Sequence, residues 1–261
     1  MIRLLQITDT HLFADTTKSL VGINTYNSLK AIIQQINQSG EQPDLIILTG
    51  DLSQDGSTDS YEHLLAQFKI FNCPIYWILG NHDSAIALNQ ILTPSYFNND
   101  KIIDLDSWKI ILLNTHIPGK VSGDLADDQL ELLQRSLANT KNQGCLVMLH
   151  HHPITINSEW LDKIGLQHPK AFLDIIEQAP AVKAVVWGHI HQDFNVIHND
   201  ILFIATPSTC IQFKPKQKNF TLDEQQPGYR WIRLQENGSL TTEVFRLPSN
   251  SFLPDLTVSG Y

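Results

Sequence analysis

The chain has few cysteines, few basic residues and no long apolar run, and each shortage excludes a class of protein. Cys73, Cys145 and Cys210 are an odd number of widely spaced cysteines, unlike a disulfide framework or a cysteine-rich zinc site. Eighteen Lys and Arg stand against 27 Asp and Glu, a formal net charge of −9, which is unsuited to holding nucleic acid. We therefore expect a cytoplasmic protein without a nucleic-acid partner.

The apolar runs are also too short for an export signal or a membrane span. The first segment, MIRLLQITDTHLF, is interrupted by Gln6 and Asp9, so it lacks the apolar centre of a signal peptide. No other run approaches the roughly 20 apolar residues that a spanning helix needs. With 261 residues, 42% of them hydrophobic, and no repeat or linker, the chain is expected to form one domain over 1–261 without membrane contact.

Short apolar runs alternate with helical patterns along most of the chain. The runs that predict buried strands are residues 2–7, 45–48, 75–79, 110–113, 146–149 and 182–187. The helical patterns between them are residues 26–36, 61–71 and 125–137. This alternation predicts an α/β fold with a largely parallel inner sheet covered by helices.

The pattern changes near residue 194 to that of β-hairpins. The segments VIHNDILFI and WIRLQENGSLTTEVFRL each contain two strand-like runs, and Asn237-Gly238 in the second is a strong signal for a tight turn. We expect the C-terminal part, about 194–261, to add hairpins to a second sheet packed on the first.

Polar side chains of the kind that bind metals follow five of the predicted strands. They occur in the segments TDTH, TGD, GNHD, LHHHP and GHIH, as Asp9, His11, Asp51, Asn81, His82, Asp83, His150, His151, His152, His189 and His191. Because the carboxyl ends of parallel strands meet at one edge of a sheet, we expect these segments to form one site.

Each of the five segments also has a purely structural explanation. The aspartates of TDTH and TGD can cap helices or stabilise turns, and GNHD is compatible with a turn. GHIH can place two imidazoles on one face without a metal, and HHHP can hold one buried and two solvated histidines. It is the coincidence of all five segments at strand ends that favours a shared site.

The residue types at these strand ends suit a pair of metal ions. Oxygen and nitrogen donors without cysteine favour Mn, Fe, Zn or Co over a thiolate-bound metal. The candidate ligands exceed the needs of one ion, being Asp9, His11, Asp51, Asn81, one histidine of the triplet, His189 and His191. A carboxylate such as Asp51 can bridge two ions about 3.5–4 Å apart, an arrangement that promotes displacement at phosphorus.

The series DxH, GD, GNHD, a His before His-Pro, and GHxH resembles the calcineurin-like metallophosphoesterase superfamily. The resemblance implies an αββα sandwich of two packed mixed β-sheets flanked by helices. Further segments, among them QITDTHLFAD, TGDLSQD, ATPSTCIQFKP, NFTLD, PGYR and the terminal SGY, are similar to the bacterial class III cyclic AMP phosphodiesterases essentially from end to end.

The narrower resemblance implies a metal-dependent phosphodiesterase that hydrolyses 3′,5′-cyclic AMP to 5′-AMP and so lowers intracellular cyclic AMP. It implies two divalent metal ions, Fe²⁺ and/or Mn²⁺, with Zn²⁺ or Co²⁺ as alternatives. The small-molecule partner would be a cyclic nucleotide, and a homodimer is expected at the level of the family.

The resemblance also assigns roles to individual residues. One metal would be bound by Asp9, His11 and His191 and the other by Asn81, His151 and His189, with Asp51 bridging them. A metal-bound hydroxide would attack phosphorus, while Asn81 stabilises the developing charge and His82 helps the 3′ oxygen to leave. The residues expected to lie against the nucleotide are His11, Asp51, Asn81, His82, His151 and His191.

The neighbours of the assigned residues are less determined. Strand alternation places His151 on the opposite side from His150 and His152, but it does not say which side faces the metals. Following the family pattern, we expect His152 to line the phosphate pocket and His150 to be structural. Asp83 either orients the imidazole of His82 or stabilises a turn.

Other functions and the base contact stay open at this point. A broader phosphodiesterase acting on glycerophosphodiesters, bis(p-nitrophenyl) phosphate or 2′,3′-cyclic nucleotides would use the same metal core. Hydrolysis of a nucleotide-linked lipid A precursor is disfavoured because no apolar stretch suits a lipid tail. A non-catalytic nucleotide-binding regulator is disfavoured by the complete ligand set. Trp160, Phe203 and Phe213 can stack on adenine, although a place in the core or a dimer contact is more typical of such residues.

Overall fold

The computed structural model describes residues 1–140, 143–248 and 250–260, so Tyr261 of the terminal SGY lies outside the described residues. The strands are β1 (Ile2–Ile7), β2 (Ser19–Leu20), β3 (Ile23–Asn24), β4 (Leu45–Leu48), β5 (Ile75–Trp77), β6 (Phe97–Asn98), β7 (Ile102–Asp104), β8 (Trp108–Leu112), β9 (Gly144–Met148), β10 (Val182–Trp187), β11 (Phe194–His198), β12 (Ile201–Ala205), β13 (Gln212–Phe213), β14 (Leu222–Asp223), β15 (Gly228–Leu234) and β16 (Leu240–Arg246). The helices are α1 (Thr25–Ser39), α2 (Thr58–Phe68), α3 (Ala85–Ile91), α4 (Asp127–Ala138), α5 (Glu159–Asp162) and α6 (Lys170–Glu177). In this described part of the chain, no helix has the length and apolar character needed to cross a membrane.

Two six-stranded sheets form the body of the molecule. The strand order is β16-β15-β1-β4-β5-β6 in the first sheet and β11-β12-β10-β9-β8-β7 in the second. In the first sheet β1, β4, β5 and β6 run parallel, whereas β15 and β16 pair antiparallel. In the second sheet β8, β9, β10 and β12 are parallel and the edge strands β7 and β11 are antiparallel. Both sheets are therefore mixed.

Apolar side chains pack on both faces of each sheet, and this alternation produces four layers. Leu4 of β1 packs between the two sheets with Ile47, Ile110, Met148 and Val186. The neighbouring Leu5 and Ile7 instead pack outwards in a cluster with residues of α1, α2 and α3. On the far side, Val147 and Val185 pack with residues of α4 and α6. The layers are helix, sheet, sheet and helix, which confirms the predicted αββα sandwich.

The six strands predicted from apolar runs do not share one inner sheet. The strands that begin at residues 2, 45 and 75 lie in the first sheet, and those that begin at residues 108, 144 and 182 lie in the second. The prediction that these six strands share one largely parallel inner sheet is therefore wrong. The prediction fails because an apolar run shows that a strand is buried on both faces but does not show which other strand pairs with it.

The two hairpins beyond residue 194 join different sheets. The hairpin β11–β12 extends the second sheet, because β12 pairs with β10. The hairpin β15–β16 extends the first sheet, since β15 pairs with β1 from Ile2↔Leu234 to Gln6↔Arg230. The expectation that this whole region adds to the second sheet is wrong for β15–β16, which instead supplies backbone partners to the outer side of β1. The predicted tight turn is confirmed, with Gly238 at φ +79°.

The carboxyl ends of the parallel strands of both sheets meet at one end of the sandwich. The segment after β4 contacts the segment after β9, where the Nδ1 atom of His150 lies 2.7 Å from the carbonyl oxygen of Thr49. The segment after β1 contacts the segment after β10, where the backbone N–H of His189 donates to the carboxylate of Asp9 at 3.0 Å. The five ligand-rich segments are thus brought together across two sheets.

Candidate metal centre

Histidine and aspartate side chains converge where the two sheets meet. Among the described residues, four overlapping groups place ligand atoms within 4.8 Å of one another: Asp9, His11 and His191; Asp9, Asp51 and His150; His11, Asp51 and His82; and His150, His151 and His189. All of these residues are buried except His82, which is partly exposed. Buried groups of this kind need charge compensation or coordination.

Several of these residues have a strained backbone. The φ angle is positive, between 44° and 63°, at Asp9, His11, Asp51, His189 and His191. Such a left-handed conformation costs a residue other than glycine on the order of 1–3 kcal/mol and is concentrated at functional sites. These strained residues follow strands β1, β4 and β10, at the points where the chain turns towards the site that the ligand-rich segments share.

One half of the centre is formed by Asp9, His11 and His191. The Nε2 atoms of His11 and His191 are 3.2 Å apart, and Asp9 Oδ1 lies 3.4 Å from Nε2 of His191. The Nδ1 atoms face acceptors, Gln54 Oε1 at 2.6 Å from His11 and the carbonyl of Ile211 at 2.9 Å from His191. Since these acceptors take the N–H of each ring, the two Nε2 lone pairs face each other, an arrangement that fits a bound cation.

The second half of the centre contains His150. Its Nδ1 atom donates to the carbonyl of Thr49. Its Nε2 atom lies 3.3 Å from Asp51 Oδ2 and 3.3 Å from Asn81 Oδ1. One imidazole nitrogen, one carboxylate oxygen and one amide oxygen therefore meet at this point, and together they suit a divalent cation of the first transition series.

His189 connects the two halves. Its backbone N–H donates to both carboxylate oxygens of Asp9, at 3.1 and 3.0 Å. In its ring, Nε2 donates to the carbonyl of Ile164 at 3.1 Å, so the lone pair is on Nδ1. The centroid of this ring lies 5.1 Å from that of His150, which places His189 beside the second half of the centre.

Asp51 lies between the two halves. Its Oδ2 atom is 3.9 Å from Nε2 of His11 and 3.3 Å from Nε2 of His150. Its Oδ1 atom accepts the backbone N–H of His82 at 2.8 Å, and the ring of His82 meets that of His11 edge-on at 5.1 Å. Burial opposes ionisation of Asp51, but the neighbouring histidines hold its pKa well below the ordinary value. The carboxylate is thus charged and lies close to the histidines of both halves.

Both ring nitrogens of His151 have partners in the protein. Its Nε2 atom donates to the carbonyl of Val121 at 3.0 Å, and its Nδ1 atom lies 2.7 Å from Oγ1 of Thr115, which can donate to it. Burial and the adjacent His150 lower the pKa of His151 well below its ordinary value. The ring is neutral, and its donor and acceptor are both used by neighbouring residues.

Asp83 holds two of the ligand-rich segments together. Its Oδ1 atom accepts from the backbone N–H groups of Leu52 and Ser53, at 3.0 and 3.1 Å, and from the hydroxyl of Tyr61 at 3.0 Å. Its Oδ2 atom accepts from the N–H of Gly80 at 2.9 Å. These contacts favour the turn role over orientation of the adjacent imidazole.

His152 adjoins the centre through His189. The two rings stack with centroids 5.8 Å apart at an angle of 23°, and Nε2 of His152 lies 3.7 Å from Oδ1 of Asp162. His152 is almost fully buried, and it borders a cavity of about 250 Å³ that Asp162 also lines.

The three candidate aromatics differ in their distance from the centre. Phe213 stacks on the ring of His191 at 4.3 Å and 14°. Trp160 meets Phe213 edge-on at 5.0 Å, so it is one ring further away. Phe203 is fully buried in the outer core of the second sheet. Phe213 is the member of this set that contacts the centre.

In His11, His150, His189 and His191, one ring nitrogen faces away from the centre and is called here the outer nitrogen. The partners of these outer nitrogens were not predicted from the sequence. Three of them are main-chain carbonyls, those of Thr49, Ile164 and Ile211, and a carbonyl leaves no signal in the sequence because every residue carries one. The fourth is the side chain of Gln54. Its position three residues after Asp51, within TGDLSQD, is a signal that could have identified it.

Comparison with known proteins places the chain among phosphoesterases. The model of the calcineurin-like phosphoesterase family matches residues 2–193. The chain is 42% identical to a 3′,5′-cyclic adenosine monophosphate phosphodiesterase of Vibrio vulnificus, over 100% of this chain and 95% of that protein. It is 40% identical to a protein of the same description from Escherichia coli K12, with the same shares covered. A 3′,5′-cyclic-nucleotide phosphodiesterase of Nostoc is 36% identical over 99% of this chain and 97% of its own length.

Solved structures resemble the fold at low sequence identity. A dimetal phosphatase from Danio rerio superposes with a TM-score of 0.61 at 14% identity, covering 88% of this chain and 94% of that one. A purple acid phosphatase from yellow lupin seeds gives a TM-score of 0.66 at 14% identity, over 94% of this chain and 51% of that one. At such identity the likeness concerns the fold alone.

Proposed function

The chain belongs to the calcineurin-like phosphoesterase family, and from this premise we propose that it hydrolyses 3′,5′-cyclic AMP to 5′-AMP and thereby lowers intracellular cyclic AMP. The observation that carries the choice of substrate is the identity of 36–42%, along essentially the whole chain, to relatives described as cyclic nucleotide phosphodiesterases. The paired His and Asp clusters support a metal-dependent reaction.

Seven side chains would hold two metal ions. One ion would be bound by Asp9, His11 and His191 and the other by Asn81, His150 and His189, with Asp51 shared between them. This proposal gives His150 the role that the family pattern assigned to His151. The reason is that Nε2 of His150 faces Asp51 and Asn81, whereas both ring nitrogens of His151 are engaged elsewhere.

The contacts on the far side of each ring support this ligand set. In each proposed ligand histidine the nitrogen that faces away from the centre meets an acceptor oxygen, supplied by Gln54, Thr49, Ile164 or Ile211. Such partners fix the tautomer and the ring orientation of metal-binding histidines. The remaining nitrogen of each ring faces the centre.

Bound divalent cations would supply Lewis acidity towards the phosphate diester and activate water for attack on phosphorus. Nitrogen and oxygen donors without a thiolate suit Fe²⁺ or Mn²⁺, with Zn²⁺ or Co²⁺ as alternatives. Two such ions would offset four of the nine net negative charges of the chain. This gain is local, so an otherwise acidic protein can attract a phosphate to this cleft.

The residues of the chain would bind the substrate and move a proton. His82 is partly exposed at the edge of the centre, and histidine is the side chain that most often serves as a general acid or base. We assign it as the general acid that protonates the departing 3′ oxygen. Asn81 would stabilise charge on the phosphate. His11, Asp51 and His191 would also lie against the nucleotide, because they lie where the two halves of the centre meet.

Product identification tests the proposed function. The purified protein is loaded with Mn²⁺, incubated with 3′,5′-cyclic AMP, and the nucleotides are separated by chromatography. We expect 5′-AMP to accumulate, and we expect its formation to stop when a chelator removes the metal. Formation of 3′-AMP, or no turnover by a protein shown to hold two metal ions per chain, would refute the proposal.

A further inference from the structure

The four proposed ligand histidines differ in what holds their outer nitrogens. His150, His189 and His191 are held by main-chain carbonyl oxygens. His11 is held by a side chain, because its Nδ1 atom lies 2.6 Å from Oε1 of Gln54. Within this group of four rings, the outer partner of His11 is therefore the one that a substitution can remove or change.

The backbone fixes Gln54 beside His11. The segments that follow β1 and β4 run side by side and form a parallel bridge between Leu12 and Ser53. The N–H of His11 donates to the carbonyl of Asp51 at 3.0 Å, and the N–H of Gln54 donates to the carbonyl of Leu12 at 2.8 Å. The same backbone bridge that positions the proposed ligands His11 and Asp51 therefore also places the side-chain amide of Gln54 beside the ring of His11.

We propose that Gln54 is a positioning residue for the ion bound by Asp9, His11 and His191, and that it sets the affinity of this ion by fixing the tautomer of His11. An amide oxygen only accepts hydrogen bonds, so it requires the proton on Nδ1 of His11 and leaves the Nε2 lone pair for the metal. The inference rests on the metal centre of the proposed function, and it adds a residue that binds neither metal nor substrate.

The chemistry of the side chain predicts the direction of two substitutions. Leucine has similar bulk but accepts no hydrogen bond, so Gln54→Leu removes the acceptor that Gln54 offers to the Nδ1–H of His11 and lets the ring adopt the other tautomer. Glutamate accepts more strongly and makes the imidazole a better donor to the metal, so Gln54→Glu preserves or increases affinity. Gln67→Leu is the matched control, since Gln67 is also a half-buried glutamine and donates to the carbonyl of Tyr26, between α2 and α1.

Calorimetric titration of metal-free protein with Mn²⁺ alone tests the inference. The wild-type chain should bind two ions. In Gln54→Leu one of the two binding steps should weaken by about 10–100-fold, the usual effect of losing an outer partner, and the other should be unchanged. Gln54→Glu should bind at least as tightly as wild type in both steps, and Gln67→Leu should match wild type.

A second readout reports the tautomer directly. Two-bond ¹H–¹⁵N correlation spectra of the metal-free protein should show the His11 proton on Nδ1 in wild type and in Gln67→Leu. In Gln54→Leu the same resonances should shift towards a mixture with the Nε2-protonated form. A substitution that merely loosened the fold would not change this one ring selectively.

Three results would overturn the inference: unchanged Mn²⁺ binding in Gln54→Leu, equal weakening of both steps, or fewer than two Mn²⁺ ions bound by the wild-type chain. Its failure is distinct from failure of the proposed function. Two-step Mn²⁺ binding with selective loss in Gln54→Leu, in a protein that does not hydrolyse cyclic AMP, would support the role of Gln54 and refute the proposed substrate.

Discussion

The Nε2 atoms of His11 and His191 lie 3.2 Å apart, while the Nδ1 atom of each ring faces an acceptor oxygen. Burial lowers the pKa of His11 to about 3, although the nearby carboxylate of Asp51 opposes the shift, so this ring is neutral. Two lone pairs directed at each other, with Asp9 and Asp51 alongside, are stabilised by a cation between them. From this relationship we expect metal binding to depend on individual side chains of the centre.

Replacing Asp51 with alanine should remove metal. The carboxylate lies between the two halves of the centre, so Asp51→Ala should reduce the metal content from two ions to one or none. Loss of an outer partner costs about 10–100-fold in affinity or activity, so loss of this ligand should slow hydrolysis by more than about 100-fold. Elemental analysis of the desalted protein measures the first effect. Asp174→Ala, which removes an exposed carboxylate paired with Lys170, is the control, and two ions retained by Asp51→Ala would contradict the shared position.

The histidine triplet gives a paired prediction. His150→Ala should lose one of the two metal ions, because Nε2 of His150 faces Asp51 and Asn81. His151→Ala should keep both ions but unfold at lower temperature, since removing contacts to Thr115 and Val121 costs about 1–3 kcal/mol. Metal content and thermal unfolding of both variants are measured side by side. The opposite pattern of metal loss would restore the ligand role to His151.

His82→Ala should separate catalysis from metal binding. The variant should retain two metal ions and hydrolyse cyclic AMP about 10²–10⁴-fold more slowly, the usual contribution of a general acid. Bis(p-nitrophenyl) phosphate releases a stable anion that needs no proton, so its hydrolysis should fall much less. Comparable losses for the two substrates would argue against a general-acid role, and loss of metal would argue for a structural one.

Asp83 should matter for stability. Asp83→Ala leaves the N–H groups of Leu52, Ser53 and Gly80 without an acceptor, and each such buried group costs about 1–3 kcal/mol. We expect the free energy of unfolding of the metal-free protein to fall by at least about 3 kcal/mol, measured with urea. Tyr61→Phe removes one hydroxyl from the same cluster and should cost about 1 kcal/mol. If Asp83→Ala were the less destabilising change, this carboxylate would not be the element that holds the two segments together.

Local sequence patterns predicted the central strands of both sheets but not their partners, and they missed the short strands β2, β3, β6, β7, β13 and β14. Strands β1, β4 and β10 begin and end where the apolar runs 2–7, 45–48 and 182–187 begin and end. The division of these runs between two sheets depends on pairing between residues far apart in the chain. The contact of β15 with β1 joins residues more than 200 positions apart, and no local pattern carries that information.

The position of the metal centre in the fold was predictable from the sequence. Which histidine of the triplet faces the centre was not. Ligand-type residues directly after apolar runs indicated a shared edge, because parallel strands end together. Alternation showed only that adjacent histidines of the triplet face opposite sides. The choice between His150 and His151 depends on the carbonyl of Thr49 and the hydroxyl of Thr115, which come from other segments.

The most direct test of the account is a comparison of kcat/KM for 3′,5′-cyclic AMP, 2′,3′-cyclic AMP and bis(p-nitrophenyl) phosphate with the same Mn²⁺-loaded protein. We predict that 3′,5′-cyclic AMP is hydrolysed with the highest kcat/KM, that 5′-AMP is its product, and that chelation abolishes all three reactions. If either competitor had the higher kcat/KM while 3′,5′-cyclic AMP turned over slowly, the metal centre would stand but the proposed substrate would be wrong.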